Sequence, residues 1–115
     1  MAIQTLKIPI GNNFIKKGDT IKEINFSFDV TDNIDLTGAT IRMDLFYQEE
    51  SILSISNGNG ITIVDSKNFN IDEIPYTDND LPIGNSIGDL EITDTNGVRL
   101  TYFNVTFTII KEYTV

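Results

Sequence analysis

The feature that most constrains this fold is a strict alternation of apolar and polar residues in three separate segments. Within residues 24–30, every even-numbered residue is apolar and every odd-numbered residue is polar. The same period of two runs through residues 39–47, where Phe46 alone is apolar on the polar face, and through residues 102–109. This period is typical of β-strands that bury one face. The three segments are therefore predicted to form the middle of a β-sheet core.

Shorter segments between these strands have the same character. Residues 6–10 are predicted to form a strand that either lies at a sheet edge or ends near Pro9, because Pro9 has no amide hydrogen to donate to a neighbouring strand. Isoleucine and threonine favour strands, whereas asparagine, aspartate and glycine favour the turns between them. The remaining predicted elements are strands at 61–64, 69–72 and 90–93, turns at 56–60, 65–68 and 94–97, and one helical turn at 76–81 that Thr77 or Asp78 caps.

Short strands separated by frequent turns predict a β-sandwich. The predicted fold is all-β, a single immunoglobulin-like antiparallel β-sandwich of about seven or eight strands. A chain of 115 residues is expected to form one domain, because each half would be too small for its own core. Within this domain, residues 1–14 are predicted to be an N-terminal strand or arm, residues 15–110 the sandwich, and residues 111–115 a C-terminal tail.

The absence of two residue types excludes much catalytic chemistry. The chain has no cysteine and no histidine, which removes thiolate metal sites, cysteine nucleophiles and the Ser-His-Asp triad. Paired carboxylates could serve a glycosidase, but no pair stands out. We therefore predict that the protein is not an enzyme and has no catalytic residue or cofactor.

Charge restricts the partners. Seventeen acidic residues and eight basic ones give a net charge of −9, which disfavours binding to nucleic acid and to anionic membranes. Eight of the carboxylates lie between residues 65 and 94, where Lys67 is the single cation. This run forms either a solvated face or a docking surface for a basic partner or a cation. Asp78 and Asp80 are weak candidates for calcium ligands, and no other metal site is predicted.

The N-terminal residues lack the basic start and long apolar centre of a signal peptide, and no apolar run is long enough to span a membrane. Synthesis in the cytoplasm without secretion through a signal peptide is therefore expected.

One set of short strings is more specific than composition. Gly18-Asp19-Thr20 leads into the first alternating strand, and Asp35-Leu36-Thr37-Gly38-Ala39-Thr40 opens the second. Leu81-Pro82-Ile83-Gly84 and Asp89-Leu90-Glu91-Ile92-Thr93-Asp94 follow, and then Asn96-Gly97-Val98. Over residues 15–110 this order resembles a small β-sandwich of tailed-bacteriophage virions, the N-terminal domain of phage baseplate upper proteins.

The resemblance implies structural roles for the matching residues. Asp35 and Asp94 are expected to accept hydrogen bonds from turn amides, Leu36 to be buried, and Gly38 to adopt a positive φ. The complete set of fold-motif residues is Gly18, Asp19, Asp35, Leu36, Gly38, Gly84, Asp94 and Gly97.

The function that the resemblance implies is that of a non-enzymatic structural protein of a tailed-phage virion. Baseplate upper proteins usually continue into further domains, whereas this chain ends after the sandwich, which favours an auxiliary (decoration) capsid protein over a tail or baseplate adaptor. The expected partners are capsid, tail or baseplate subunits in a symmetric multicopy assembly. Interface candidates are Leu6 and Ile8 in the N-terminal segment 1–10, Phe46 on its strand, and Tyr113 in the C-terminal tail 111–115. The alternative class is a host-surface or glycan-binding module that uses tyrosines and loop carboxylates.

Overall fold

The computed structural model describes residues 4–8, 15–31, 34–78 and 80–111, and these residues form an all-β fold. Nine strands and one short 3-10 turn make up the regular structure of these ranges. The strands are β1 Gln4–Ile8, β2 Ile15–Lys16, β3 Ile24–Ser27, β4 Thr40–Tyr47, β5 Glu50–Asn57, β6 Gly60–Ile63, β7 Asn68–Ile71, β8 Gly84–Thr93 and β9 Arg99–Ile110, and the 3-10 turn is Tyr76–Asp78.

The strands belong to one mixed sheet in the order β1-β9-β8-β4-β5-β6-β7-β3, and β2 also pairs with β9. The prediction of a purely antiparallel arrangement is wrong. Both β1 and β2 run parallel to β9, and β5 pairs in parallel with β6 over two residues. The alternation within a segment specifies which face is buried but not which strand lies beside it. The parallel pairing of the first and last strands therefore could not be read from the pattern.

Aromatic contacts show that the sheet curls upon itself. The ring of Phe26 in β3 stacks on that of Phe69 in β7, with centroids 4.7 Å apart, and lies 5.8 Å from the ring of Phe103 in β9. In the strand order, β3 stands at one end and β9 is next to the other end. The two ends of the sheet therefore face each other across a shared core.

The core collects the side chains that the alternation predicted to be buried. In β4, Ile41, Met43 and Leu45 are fully buried, and their polar neighbours lie on the outer face. Val105, Phe107 and Ile109 contribute the inner face of β9. Leu36 is also fully buried, as the resemblance implied. Each such side chain stabilises the fold by about 2 kcal/mol through removal of apolar surface from water.

The first alternating segment is only partly a strand. It leaves the sheet after Ser27, and Val30 is 84% exposed rather than buried. The cause is a local turn in which the backbone amide of Thr31 donates to a carboxylate oxygen of Asp29 at 3.1 Å.

The alternation does not predict β5 as a strand, and the last two residues of β5 were assigned to a turn. Adjacent Ile52 and Leu53 break the period of two in this segment. The pairing explains why: Leu45 lies opposite Leu53 and Phe46 opposite Ser51, so Ile52 is an extra residue in a β-bulge.

The helical turn lies where it was predicted, but its cap is different. The turn begins at Tyr76, so Thr77 and Asp78 lie inside it. The amide of Tyr76 instead donates to the hydroxyl of Thr20 at 3.1 Å. In the described part of the chain, no helix is long and apolar enough to cross a membrane.

Candidate functional site

The outer face of β4, β8 and β9 carries its side chains in rows across the strands. Phe46 of β4 lies opposite Ile87 of β8, which in turn lies opposite Thr106 of β9. The next row consists of Asp44, Asp89 and Asn104. Residues paired in this way are close enough for their side chains to interact. The rows therefore place two apolar side chains beside two carboxylates in the middle of the sheet.

A glycine on β8 sets how closely this strand approaches β4. A Cβ atom added at Gly88 would collide with the backbone carbonyl oxygen of Asp44, so the position has no room for a side chain. Glycine in a strand interior often marks such a close approach of two backbones. Gly88 lies between Ile87 and Asp89, so this close approach of the two backbones occurs between the two rows.

These rows form part of a groove of about 910 Å³. Its charged lining consists of the carboxylates of Asp44, Glu49, Asp89 and Glu91, and no lysine or arginine is among the described residues that line it. Its uncharged polar lining consists of Gln48, Asn85, Asn104 and Thr106. The groove is therefore acidic, with an apolar patch on its surface.

Two carboxylates in the groove lie directly opposite each other. Asp44 pairs in register with Asp89, an arrangement of like charges that destabilises a sheet. Two neighbouring side chains bind the carboxylate of Asp44. Nε of Arg42 lies 3.0 Å from one carboxylate oxygen, and the hydroxyl of Ser54 donates to the other at 2.6 Å. The carboxylate of Asp44 is thus fixed in position on the outer face.

One end of the groove is formed by the turn between β4 and β5. Gln48 and Glu49 have φ values of 51° and 66°, in the left-handed region that residues with side chains rarely adopt. A two-residue hairpin loop requires such a conformation, and asparagine or glycine usually supplies it. Both side chains line the groove.

The acidic run predicted between residues 65 and 94 does not form one surface. Asp89 and Glu91 line the groove, but Asp65 lies in the turn before β7, and Asp72 accepts a hydrogen bond from the hydroxyl of Thr62 at 2.7 Å. The other two groove carboxylates, Asp44 and Glu49, precede the run in sequence. The only sequence signal for them was the unusual apolar residue Phe46 on a polar strand face.

A second cluster lies where two turns meet Lys67. The backbone amide of Thr37 donates to Asp35 at 2.9 Å and lowers the pKa of that carboxyl, an effect to which the Thr37 hydroxyl and the charge of Lys67 add. This contact confirms the turn role expected of Asp35. Nζ of Lys67 donates to the backbone carbonyl of Ile34, so the lysine connects the two turns.

The same type of turn lowers the pKa of two further aspartates. For Asp65, the main cause is the backbone amide of Lys67, which donates at 2.9 Å, followed by the side-chain amide of Asn68. For Asp29, it is the backbone amide of Thr31, followed by the Thr31 hydroxyl. These carboxylates act on the backbone of their own turns and form no pair suited to acid-base chemistry.

The other fold-motif residues lie in turns and at strand ends. Asp94 accepts hydrogen bonds from the amides of Asn96 and Val98 at 2.9 and 3.0 Å, and the amide of Gly97 donates to its carbonyl, as expected for the hairpin before β9. Gly18 and Asp19 follow β2, and Gly84 begins β8.

Several other residues predicted to be functional lie wholly or partly outside the residues that the structure describes. The backbones of Leu6 and Ile8 pair with Val105 and Phe107, but the side chains of both, and the whole of Tyr113, are outside the described residues. The side chain of Asp78 also falls outside them, while Asp80 is exposed. Among the residues that the structure describes, no group of three or more carboxylates is arranged to hold a metal ion.

Comparison of the sequence with known protein families and with curated proteins finds no match to either.

Proposed function

We propose that this chain is a non-enzymatic structural protein of a tailed-phage virion, and specifically an auxiliary capsid protein that attaches to the outside of the shell. A tail or baseplate adaptor is the alternative within the same class. The phage assignment comes from the sequence strings that resemble the baseplate upper protein domain. The contact role is carried by one structural observation, the paired Phe46 and Ile87 on an outer sheet face.

The strand order supports the more specific proposal of an immunoglobulin-like β-sandwich. In variable-type immunoglobulin domains, one sheet has the order G-F-C-C′, and strands D, E and B form part of the other. The order β9-β8-β4-β5 corresponds to the first and β6-β7-β3 to the second. The ring contact between Phe26 and Phe103 fits two layers that face each other.

The residues that carry the resemblance support a structural rather than a catalytic role. Asp35 accepts the amide of Thr37 within its own turn. Gly38 has a φ of 73° and lies against the side chain of Thr95 in the hairpin before β9. These residues connect loops of the fold and leave the outer sheet face free for contact with a partner.

The copy number of the chain in purified phage particles tests this proposal. Quantitative mass spectrometry would measure the ratio of this chain to the major capsid protein. A ratio of the same order as the shell subunits is expected of an auxiliary capsid protein, and repeated weak contacts would then attach it. A handful of copies would favour the tail or baseplate adaptor. Absence from the particle would overturn the virion assignment and direct the search to glycan binding.

A further inference from the structure

The exposed apolar side chains in the described part of this protein differ in whether they lie in a strand or in a loop. Of the large exposed apolar residues in the described part of the chain, only Phe46 and Ile87 lie within strands, with 41% and 59% of their surface exposed. The others lie in turns, loops or the 3-10 turn: Val30, Val64, Tyr76, Ile83 and Val98. Single exposed apolar residues are common on soluble proteins. Two of them opposite each other in the middle of a sheet face form a contiguous apolar patch, and larger patches of this kind mark contact surfaces.

The surroundings of this pair define what it can bind. Four carboxylates line the same groove, from Asp44, Glu49, Asp89 and Glu91, and the described lining includes no lysine or arginine. Arg42, beside the groove, pairs with Asp44. The ion pair with Arg42 offsets part of the charge of Asp44, but like charges directly opposite each other, as Asp44 and Asp89 are, still weaken a sheet, so the fold does not require this arrangement. An unfavourable pair of this kind is expected where a surface serves a function other than stability.

We infer that this groove docks a basic polypeptide segment of a partner protein, with one or two apolar side chains against Phe46 and Ile87 and with lysine or arginine side chains beside the carboxylates. Charge complementarity carries the choice of partner. A second copy of the chain would bring a net charge of −9 against an acidic groove, and nucleic acid would be repelled in the same way. The inference deepens the proposed function, because it names the surface and the chemistry of the structural partner.

Nuclear magnetic resonance of the full chain tests the inference. The probe is a short capped peptide with two leucines flanked on each side by lysines, added to the ¹⁵N-labelled protein. Shifts are expected at the backbone amides of Phe46, Ile87, Asp89 and Thr106, with an affinity that falls as salt is raised. A peptide with glutamates in place of the lysines should leave these amides unchanged. Shifts located elsewhere, or equal binding of both peptides, would overturn the inference.

Variants separate the apolar and the acidic contributions. Ile87→Thr keeps a β-branched residue on the exposed strand face and is expected to weaken peptide binding about tenfold. Val98→Thr, at an exposed apolar position outside the groove, is the matched control and should bind normally. Asp89→Asn together with Glu91→Gln should weaken binding and reduce its salt dependence, whereas Glu73→Gln should not. Equal binding by the groove variants and their controls would contradict a docking role.

The result of the peptide-binding experiment is independent of the copy number of the chain in phage particles. Peptide binding at the groove by a chain that is absent from virions would remove the phage assignment and leave the docking surface. A chain present in virions at high copy number that does not bind the basic peptide would keep the proposed function and remove this surface. If a neutral oligosaccharide shifted the groove amides and the lysine peptide did not, the groove would be a glycan site instead.

Discussion

Gly38 and Thr95 bring two distant loops of this protein into direct contact. A Cβ atom placed on Gly38 would lie 2.6 Å from the side-chain methyl carbon of Thr95, and the φ of Gly38 is 73°. The contact joins the turn before β4 to the hairpin between β8 and β9. The two most recognisable turn strings of the sequence, which are more than fifty residues apart, thus form one structural unit.

Substitution of Gly38 by alanine is expected to destabilise the fold by about 2–3 kcal/mol, because strain at a positive φ and a steric collision add together. Urea unfolding followed by circular dichroism measures the loss. Gly97→Ala is the matched control: its φ is 82°, but no atom lies within 4 Å of the added Cβ, so only the backbone strain of about 1 kcal/mol applies.

The collision can be separated from the strain by a double-mutant cycle. Thr95→Ser removes the methyl group that an alanine at position 38 would strike. Gly38→Ala is therefore expected to cost less in the Thr95→Ser background than in the natural chain, and the same background should not alter the cost of Gly97→Ala. A Gly38→Ala cost that is the same in both backgrounds would show that the contact with Thr95 contributes nothing.

The sequence predicted those parts of the fold that depend on local periodicity. The burial of Ile41, Met43 and Leu45 follows from alternation, and the turn role of Asp35 follows from its side-chain chemistry. It did not predict β5 as a strand, because the bulge at Ile52 breaks the period and Gln48-Glu49 does not resemble a common hairpin turn.

The candidate site was less accessible to sequence reasoning than the core. Phe46 was identified as an interface candidate from its place on a polar strand face, but its partner Ile87 was not. The pairing of these residues depends on the register of β4 against β8, two strands separated by about forty residues of chain. The hydrophobic pattern specifies which face of each strand is buried, and turn geometry sets the register within a hairpin, but no hairpin joins β4 to β8.

Ser86 provides a test of polar burial. Its side chain is fully buried opposite Phe107, and its hydroxyl oxygen has no hydrogen-bond partner among the described residues. Ser86→Ala removes a group that costs free energy to bury, so the variant is expected to be as stable as the natural chain or up to about 1 kcal/mol more stable. Ser54→Ala is the control, because that hydroxyl donates to Asp44, and its loss should lower stability slightly. A clear loss of stability in Ser86→Ala would show that the hydroxyl is hydrogen-bonded in solution.

Acid is expected to destabilise the protein through its turn aspartates. The pKa values of Asp29, Asp35 and Asp65 are lowered from an ordinary value of 3.8, chiefly by backbone amides that donate to them. The unfolded chain therefore takes up protons at a higher pH than the folded chain. The stability that these groups contribute is present above about pH 4 and is lost as the pH falls through their folded-state pKa values.

Unfolding midpoints measured between about pH 5 and pH 2 check this expectation. Asparagine retains an oxygen that can accept the turn amides but does not titrate. The triple variant with asparagine at Asp29, Asp35 and Asp65 should therefore lose less stability on acidification than the natural chain. A control with glutamine at Glu50 and Glu73 and asparagine at Asp80 removes the same number of charges at exposed positions outside these turns and should keep the natural slope. Equal slopes in the two triple variants would exclude the turn aspartates as the cause.

The opposed carboxylates of Asp44 and Asp89 allow stability to be separated from binding. Asp89→Asn removes one of two like charges that face each other across β4 and β8, so the variant is expected to gain about 0.5 kcal/mol of stability at low salt. The gain should shrink as salt screens the repulsion in the natural chain. Because the same carboxylate lines the groove, the variant that folds more stably should bind the basic peptide less tightly. Asp80→Asn, at an exposed position outside the groove, should change neither property. Loss of stability in Asp89→Asn would show that this carboxylate stabilises the sheet. The opposed carboxylates would then be no evidence that the groove serves binding.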